Sequence, residues 1–173
     1  MRSKLIVAAI MGTAFALCAG TARSAPRHTP PTPPAPPTDA CALLTQAQVN
    51  AVLGVSVGTG EKIMPNSPAI CGWEVPGQKG IDRKRVVLSI YTQMGSRTPV
   101  DRFNTAKTPI KGITKTPVSG VGDDAIYATA PGFGTGLIFK KGASAFDLRV
   151  YGFPLEQIKE KEKTLALDVI AKL

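Results

Sequence analysis

Histidine is nearly missing from this 173-residue chain: His28 is the single one. Cysteine is scarce, with three residues, and aromatic side chains are limited to one Trp, three Tyr and six Phe. Each shortage excludes chemistry. A zinc site draws three or four ligands from thiolates, imidazoles and carboxylates, and the chain offers too few of the first two. A cysteine nucleophile needs a base, usually histidine. Catalysis would fall to carboxylate pairs or a Ser–Lys dyad, and Ser89, Ser119 and Ser144 lack the surroundings of a nucleophile. An enzyme of carboxylate type is therefore the weakest functional reading, and no cofactor is expected. Acidic residues are outnumbered 12 to 21, and the sequence pI is about 9.7.

What is present begins with an export pattern. Arg2 and Lys4 precede an apolar run from Leu5 to Gly20, and small residues follow. A basic start, an apolar middle and a small-x-small cleavage site describe a secretory signal peptide. The run is shorter than the roughly 20 residues that span a bilayer, so residues 1–24 are expected to be cleaved, with no transmembrane segment left behind. Cleavage removes Arg2, Lys4 and Arg23, which leaves 18 basic against 12 acidic residues and a charge of about +6. Residues 25–38 include "PRHTPPTPPAPP", with seven prolines in twelve. Proline cannot donate to a helix or a sheet ladder, so this segment reads as an extended, disordered linker. Residues 39–173 then form a single domain of ordinary size.

Cleavage also discards Cys18 and leaves Cys41 and Cys71. An exported domain with an even number of cysteines pairs them, because its compartment is oxidising. A Cys41–Cys71 disulfide is the expectation, closing a loop of about 30 residues and contributing roughly 3–4 kcal/mol by chain entropy.

Periodicity lays out the rest. Thr45 and Gln48 form a capping-box pair ahead of Val49, Val52 and Leu53, and Gly54 ends that first helix. Strands are expected at Cys71–Val75 and Val86–Tyr91 by alternation. Thr98 and Pro99 open a second helix, to about Lys107. Three further strands are expected near Ala125–Thr129, Gly136–Lys141 and Ala145–Tyr151. A last amphipathic helix runs from Pro154, with Leu155, Ile158, Leu165, Val169 and Leu173 on its inner stripe. Hairpins and helices without a strand–helix repeat predict an α+β domain, an antiparallel sheet with helices packed on one face.

The stretches "CALLTQAQVNAVLG", "CGW" and "VSGVGDDAIY", followed by a glycine-containing hairpin and the terminal helix, carry a resemblance over nearly the whole domain. They resemble exported bacterial domains, often lipoproteins, that open with Cys-x-Leu-Leu-Thr and carry a Cys-x-Trp strand. The family has no settled activity. The resemblance implies export, a disulfide and a small α+β fold. This chain departs from it at Leu17, where a lipid-modified Cys18 would need a small residue.

Two glycine-rich stretches read as turns rather than nucleotide loops. "GFGTG" lacks the last glycine of a dinucleotide fingerprint, and in "GVSVGTGEK" Glu61 stands where a phosphate-loop lysine is needed. Asp123 and Asp124 read as turn chemistry, and Trp73 as a ring packed on the disulfide. The remaining surface signal is a basic loop, with Lys79, Arg83, Lys84 and Arg85 offset by Asp82. Tyr91 and Met94, further along the same strand and into the following loop, are the candidate buried anchors. The leading reading is a non-enzymatic exported binding module, periplasmic or secreted, that contacts an acidic protein or an anionic envelope component. Inhibiting or neutralising another exported protein would be such a role. The alternative is a small-ligand carrier with a pocket between sheet and helices. Export and the lack of an aromatic stacking row beside the charges argue against nucleic acid.

Overall fold

The computed structural model describes residues 35–173 other than Ile81. The expected signal peptide, and residues 25–34 of the expected linker, lie outside the described residues. Within them a 3-10 turn at Ala40–Ala42 leads into α1 (Gln46–Leu53), β1 (Glu61–Met64) and β2 (Ser67–Glu74). Then come β3 (Arg85–Ile90), α2 (Pro99–Lys107), β4 (Thr114–Pro117) and β5 (Asp124–Ala130). The chain ends with β6 (Gly134–Lys141), β7 (Ser144–Tyr151) and α3 (Leu155–Ile170). The seven strands form one antiparallel sheet in the order β1-β2-β3-β7-β6-β5-β4. The fold is α+β, as composition and periodicity require.

Local chemistry sets the helix starts. Thr45 accepts the Gln48 amide, and the Gln48 side chain accepts the Thr45 amide at 2.9 Å. Thr98 and Asp101 make the same reciprocal pair ahead of α2, with Pro99 at the first helical position. The Thr98 hydroxyl, and then the Thr98 amide, both donating to the Asp101 carboxylate, hold that carboxyl below its usual range. α1 stops at Gly54, in the left-handed conformation that glycine tolerates.

Strand alternation sorts the core into two unequal layers. Val86 and Leu88 of β3, Leu137 and Phe139 of β6, and Phe146, Leu148 and Val150 of β7 are buried in the main core with Leu165, Ala166 and Val169 of α3. α1 packs on α3 over the same face. The opposite parity carries a smaller cluster, in which Phe103 of α2 meets Ile126, Ile138 and Ala145. The expectation of helices on one face thus holds for α1 and α3, while α2 covers a corner of the other face. On α2 it is Phe103 that is buried in this second layer, with Ala106 partly buried against it.

Cys41 and Cys71 are joined, Cα to Cα 5.1 Å, tying the 3-10 turn to β2. Trp73 is buried two residues on. Gly60 lies so close that a Cβ there would come 2.7 Å from the Trp73 indole nitrogen and 2.9 Å from the Cys71 sulfur. The glycine-rich stretch before β1 is therefore a close-packing surface as well as a turn. The two strands that periodicity did not show, β1 and β4, are the four-residue edges of the sheet. No helix among the described residues is long and apolar enough to cross a membrane.

Candidate functional site

The loop between β2 and β3 places its basic residues unevenly. Lys79 is exposed. Arg83 and Arg85 both reach Glu74, at 3.5 and 3.6 Å. Exposed pairs of this kind contribute at most about 1 kcal/mol. Arg85 also lies 4.4 Å from the centre of the Tyr151 ring, its direct cross-strand partner on β7. Lys84 stands 5.2 Å over the Phe153 ring, and Lys161 of α3 stands 4.8 Å over it as well. Lys161 is held there by a 2.8 Å bond to the Val52 carbonyl. The basic loop is thus folded down onto an aromatic floor.

Tyr91 and Met94 are elsewhere. Tyr91 lies six residues from Arg85, about 20 Å along an extended strand. Its ring is half-buried under the Arg102 guanidinium at 4.6 Å, and burial, with help from Asp147, pushes the phenol up to about 12. Met94 is 58% exposed beside it. Pro36, Pro37 and Thr38 line a groove on the other side of Tyr91, with Ile90 and Pro99. The basic loop and the two expected anchors therefore do not share one contact surface.

The loop borders a different cavity, an open cleft of about 390 Å³ at the end of the sheet. Its lining includes Asp82, Phe133, Thr135, Val150, Tyr151 and Phe153. Phe133 sits at the tip of the β5–β6 hairpin and is 84% exposed, the most exposed large apolar side chain among the described residues. Gly152 brings the loop and the β7–α3 corner together. Its φ is +80°, and a Cβ there would lie 2.7 Å from the Asp82 carbonyl oxygen. Three cations thus stack on the two rings, Tyr151 and Phe153, that line the cleft. Cation–π contacts of this kind contribute about 0.5–1 kcal/mol each when exposed.

Beneath this end of the sheet α3 buries a carboxylate. Glu162 is fully inaccessible; Oε1 accepts the Val150 amide at 3.0 Å, and Oε2 has no partner. Desolvation pushes this carboxyl up to about 8. The Val150 hydrogen bond opposes the shift, Asp147 adds to it, and Arg149 reduces it. Thr135 is buried nearby on β6 and shares a 3.0 Å hydroxyl contact with Thr129.

Sequence reasoning missed Phe133, Tyr151, Phe153 and Glu162. The signals were there. "GFG" reads as a turn, and a phenylalanine between two turn glycines cannot bury its ring locally. Glu162 falls on the α3 stripe between Ile158 and Leu165, where an acid has no solvent to face. Asp123 and Asp124 behave as expected for structural acids, pairing with Lys141 and Lys107 at 2.9 and 2.6 Å. Among the described residues, no three histidine, cysteine or carboxylate side chains gather within reach of one metal ion. Comparison with family models, with curated proteins and with solved structures finds no match for this chain.

Proposed function

We propose that this protein is an exported, non-enzymatic binding module whose partner is a protein acidic at its contact face. The observation that carries the reading is the pairing of Phe133, almost fully exposed, with a cleft whose rings hold Lys84, Arg85 and Lys161. An exposed aromatic over a concave apolar floor supplies the buried anchor that affinity needs, and the surrounding cations supply steering. The disulfide supports the compartment, since such bonds persist in oxidising surroundings. The export pattern in the sequence and the resemblance to exported domains point the same way.

The space between the sheet and α3 is filled by Phe139, Phe146, Leu165 and Val169. That favours surface binding over a carrier pocket enclosed between them. The test is capture from an envelope extract on immobilised protein, wild type against Phe133→Ala. The reading expects an acidic protein that is retained at low salt, is released in about 1 M salt, where screening acts within ~3 Å, and is lost with Phe133→Ala. Retention indifferent to both salt and Phe133→Ala refutes it.

A further inference from the structure

The cleft occupies a break in the sheet. β6 and β7 pair from Lys141–Ser144 down to Leu137–Leu148 and no further, although β6 begins at Gly134 and β7 runs on to Tyr151. The same register would next join Gly136 to Arg149, Thr135 to Val150 and Gly134 to Tyr151. Those rungs are missing, and the four residues of the last two line the cleft. Each strand stays paired on its other side, Gly134 with Ala130 of β5 and Tyr151 with Arg85 of β3. The seam is therefore a fork inside an otherwise continuous sheet.

Main-chain directions make the fork a hydrogen-bonding site. The Ala145 carbonyl accepts the Tyr91 amide on the β3 side, so odd-numbered residues of β7 point their N–H and C=O toward β3. Even-numbered ones, Val150 among them, point toward β6. The Lys140 carbonyl accepts the Asp123 amide on the β5 side, so odd-numbered residues of β6, Thr135 among them, point toward β7. Thr135 and Val150 thus aim their backbone groups at each other across a gap. Among the described residues, only the Val150 amide is answered there, by the Glu162 carboxylate standing in for a strand carbonyl. Gly134, at φ +87°, has open space where a Cβ would stand, whereas Gly136 is covered by the Arg149 side chain at 3.1 Å, so the low ground on the β6 side of the fork is at Gly134.

We propose that the fork is a strand-addition site, taking a short, extended, acidic segment of the partner. This rests on the binding reading above and specifies how that partner is held. Main-chain groups of the segment pair with Thr135 and with the Val150 carbonyl, the Val150 amide staying with Glu162, while an apolar side chain enters the cleft under Phe133 and Phe153. Carboxylates on alternate residues meet Lys84 and Lys161 at the rim. Asp82, Glu74 and the buried Glu162 are the opposing acids; Glu74 is already engaged by Arg83 and Arg85, and Glu162 by the Val150 amide. Backbone pairing gives affinity and the side-chain pocket gives choice, as in other strand-addition complexes.

The test uses a fluorescent Glu-Val-Glu-Phe-Glu-Val peptide, the same peptide N-methylated at its valine and phenylalanine amides, and vesicles containing anionic phosphatidylglycerol. Anisotropy measures binding, and hydrogen exchange follows the Thr135 and Val150 amides. Strand addition expects the parent peptide to bind, the methylated one to bind ten-fold or more weakly, and the Thr135 amide to exchange more slowly with peptide bound. Equal binding of both peptides, or binding without added protection at Thr135, overturns strand addition and leaves the acidic-partner reading standing. Binding to vesicles with neither peptide bound overturns both, in favour of a lipid surface. No binding to any probe overturns both as well.

Discussion

Replacing Glu162 with Gln should raise the stability of this domain at alkaline pH and remove most of its pH dependence between about 5 and 9. The carboxyl is fully buried, its Oε2 is unpartnered, and its folded-state value stands at about 8 against an ordinary 4.5. Between those values the folded protein binds a proton that the unfolded chain has released. Stability therefore falls as pH rises through that window, is fully retained below about 4.5 and is lowest above about 8. At 1.36 kcal/mol per pH unit, the gap of about 3.5 units corresponds to ~5 kcal/mol. Partial opening of the fork to water would lessen it. For a domain of this size that is a fall in Tm on the order of 10–20 °C. Gln keeps an oxygen for the Val150 amide and cannot ionise. Thermal unfolding of both proteins from pH 5 to 9 is the assay. Asp101 and Asp123 titrate below this window and Tyr91 and Tyr127 above it, and all four are common to both proteins. The difference between the curves therefore isolates Glu162. Parallel curves, with the wild type no more pH-sensitive than the variant, refute the argument that this carboxyl is buried and unpaired.

Cys71→Ser should cost roughly 2–5 kcal/mol in denaturant unfolding. Intact mass of the unreduced wild type should be lower by two hydrogens than that of the reduced protein, and two freely alkylated native thiols would contradict the bond. Gly60→Ala should cost about 1–3 kcal/mol, as overpacking does in a filled core, and should shift Trp73 fluorescence. An unchanged spectrum and stability would mean the indole is free to move aside.

Legibility followed the reach of each signal. The helix caps at Thr45 and Thr98 were plain because capping is decided within three residues. The central strands β3 and β7 were plain because burial on one face imposes alternation on six or more residues. β1 and β4 escaped because an edge of four residues, mostly exposed, has no face to alternate against. The disulfide was readable by counting. The cleft was not, because it depends on where the β6–β7 ladder stops, which is set by a carboxylate on a helix twelve residues beyond Val150. The basic loop was legible as charge but not as direction. Its cations fold onto Tyr151 and Phe153, more than 60 residues further along the chain, rather than reaching toward Tyr91.

The Cys41–Cys71 bond also decides how the domain carries load. A pull applied at the N-terminal side of Cys41 enters the sheet directly through the sulfur bridge at β2. It bypasses α1 and β1, which lie inside the 30-residue loop. Those elements are mechanically silent while the bridge is intact, and the fully stretched chain is shorter by on the order of 100 Å than it would be after reduction. For a domain held by a leash at this end, tension reaches β2 before it reaches any helix. Reduction would turn a stiff attachment into one that pays out slack.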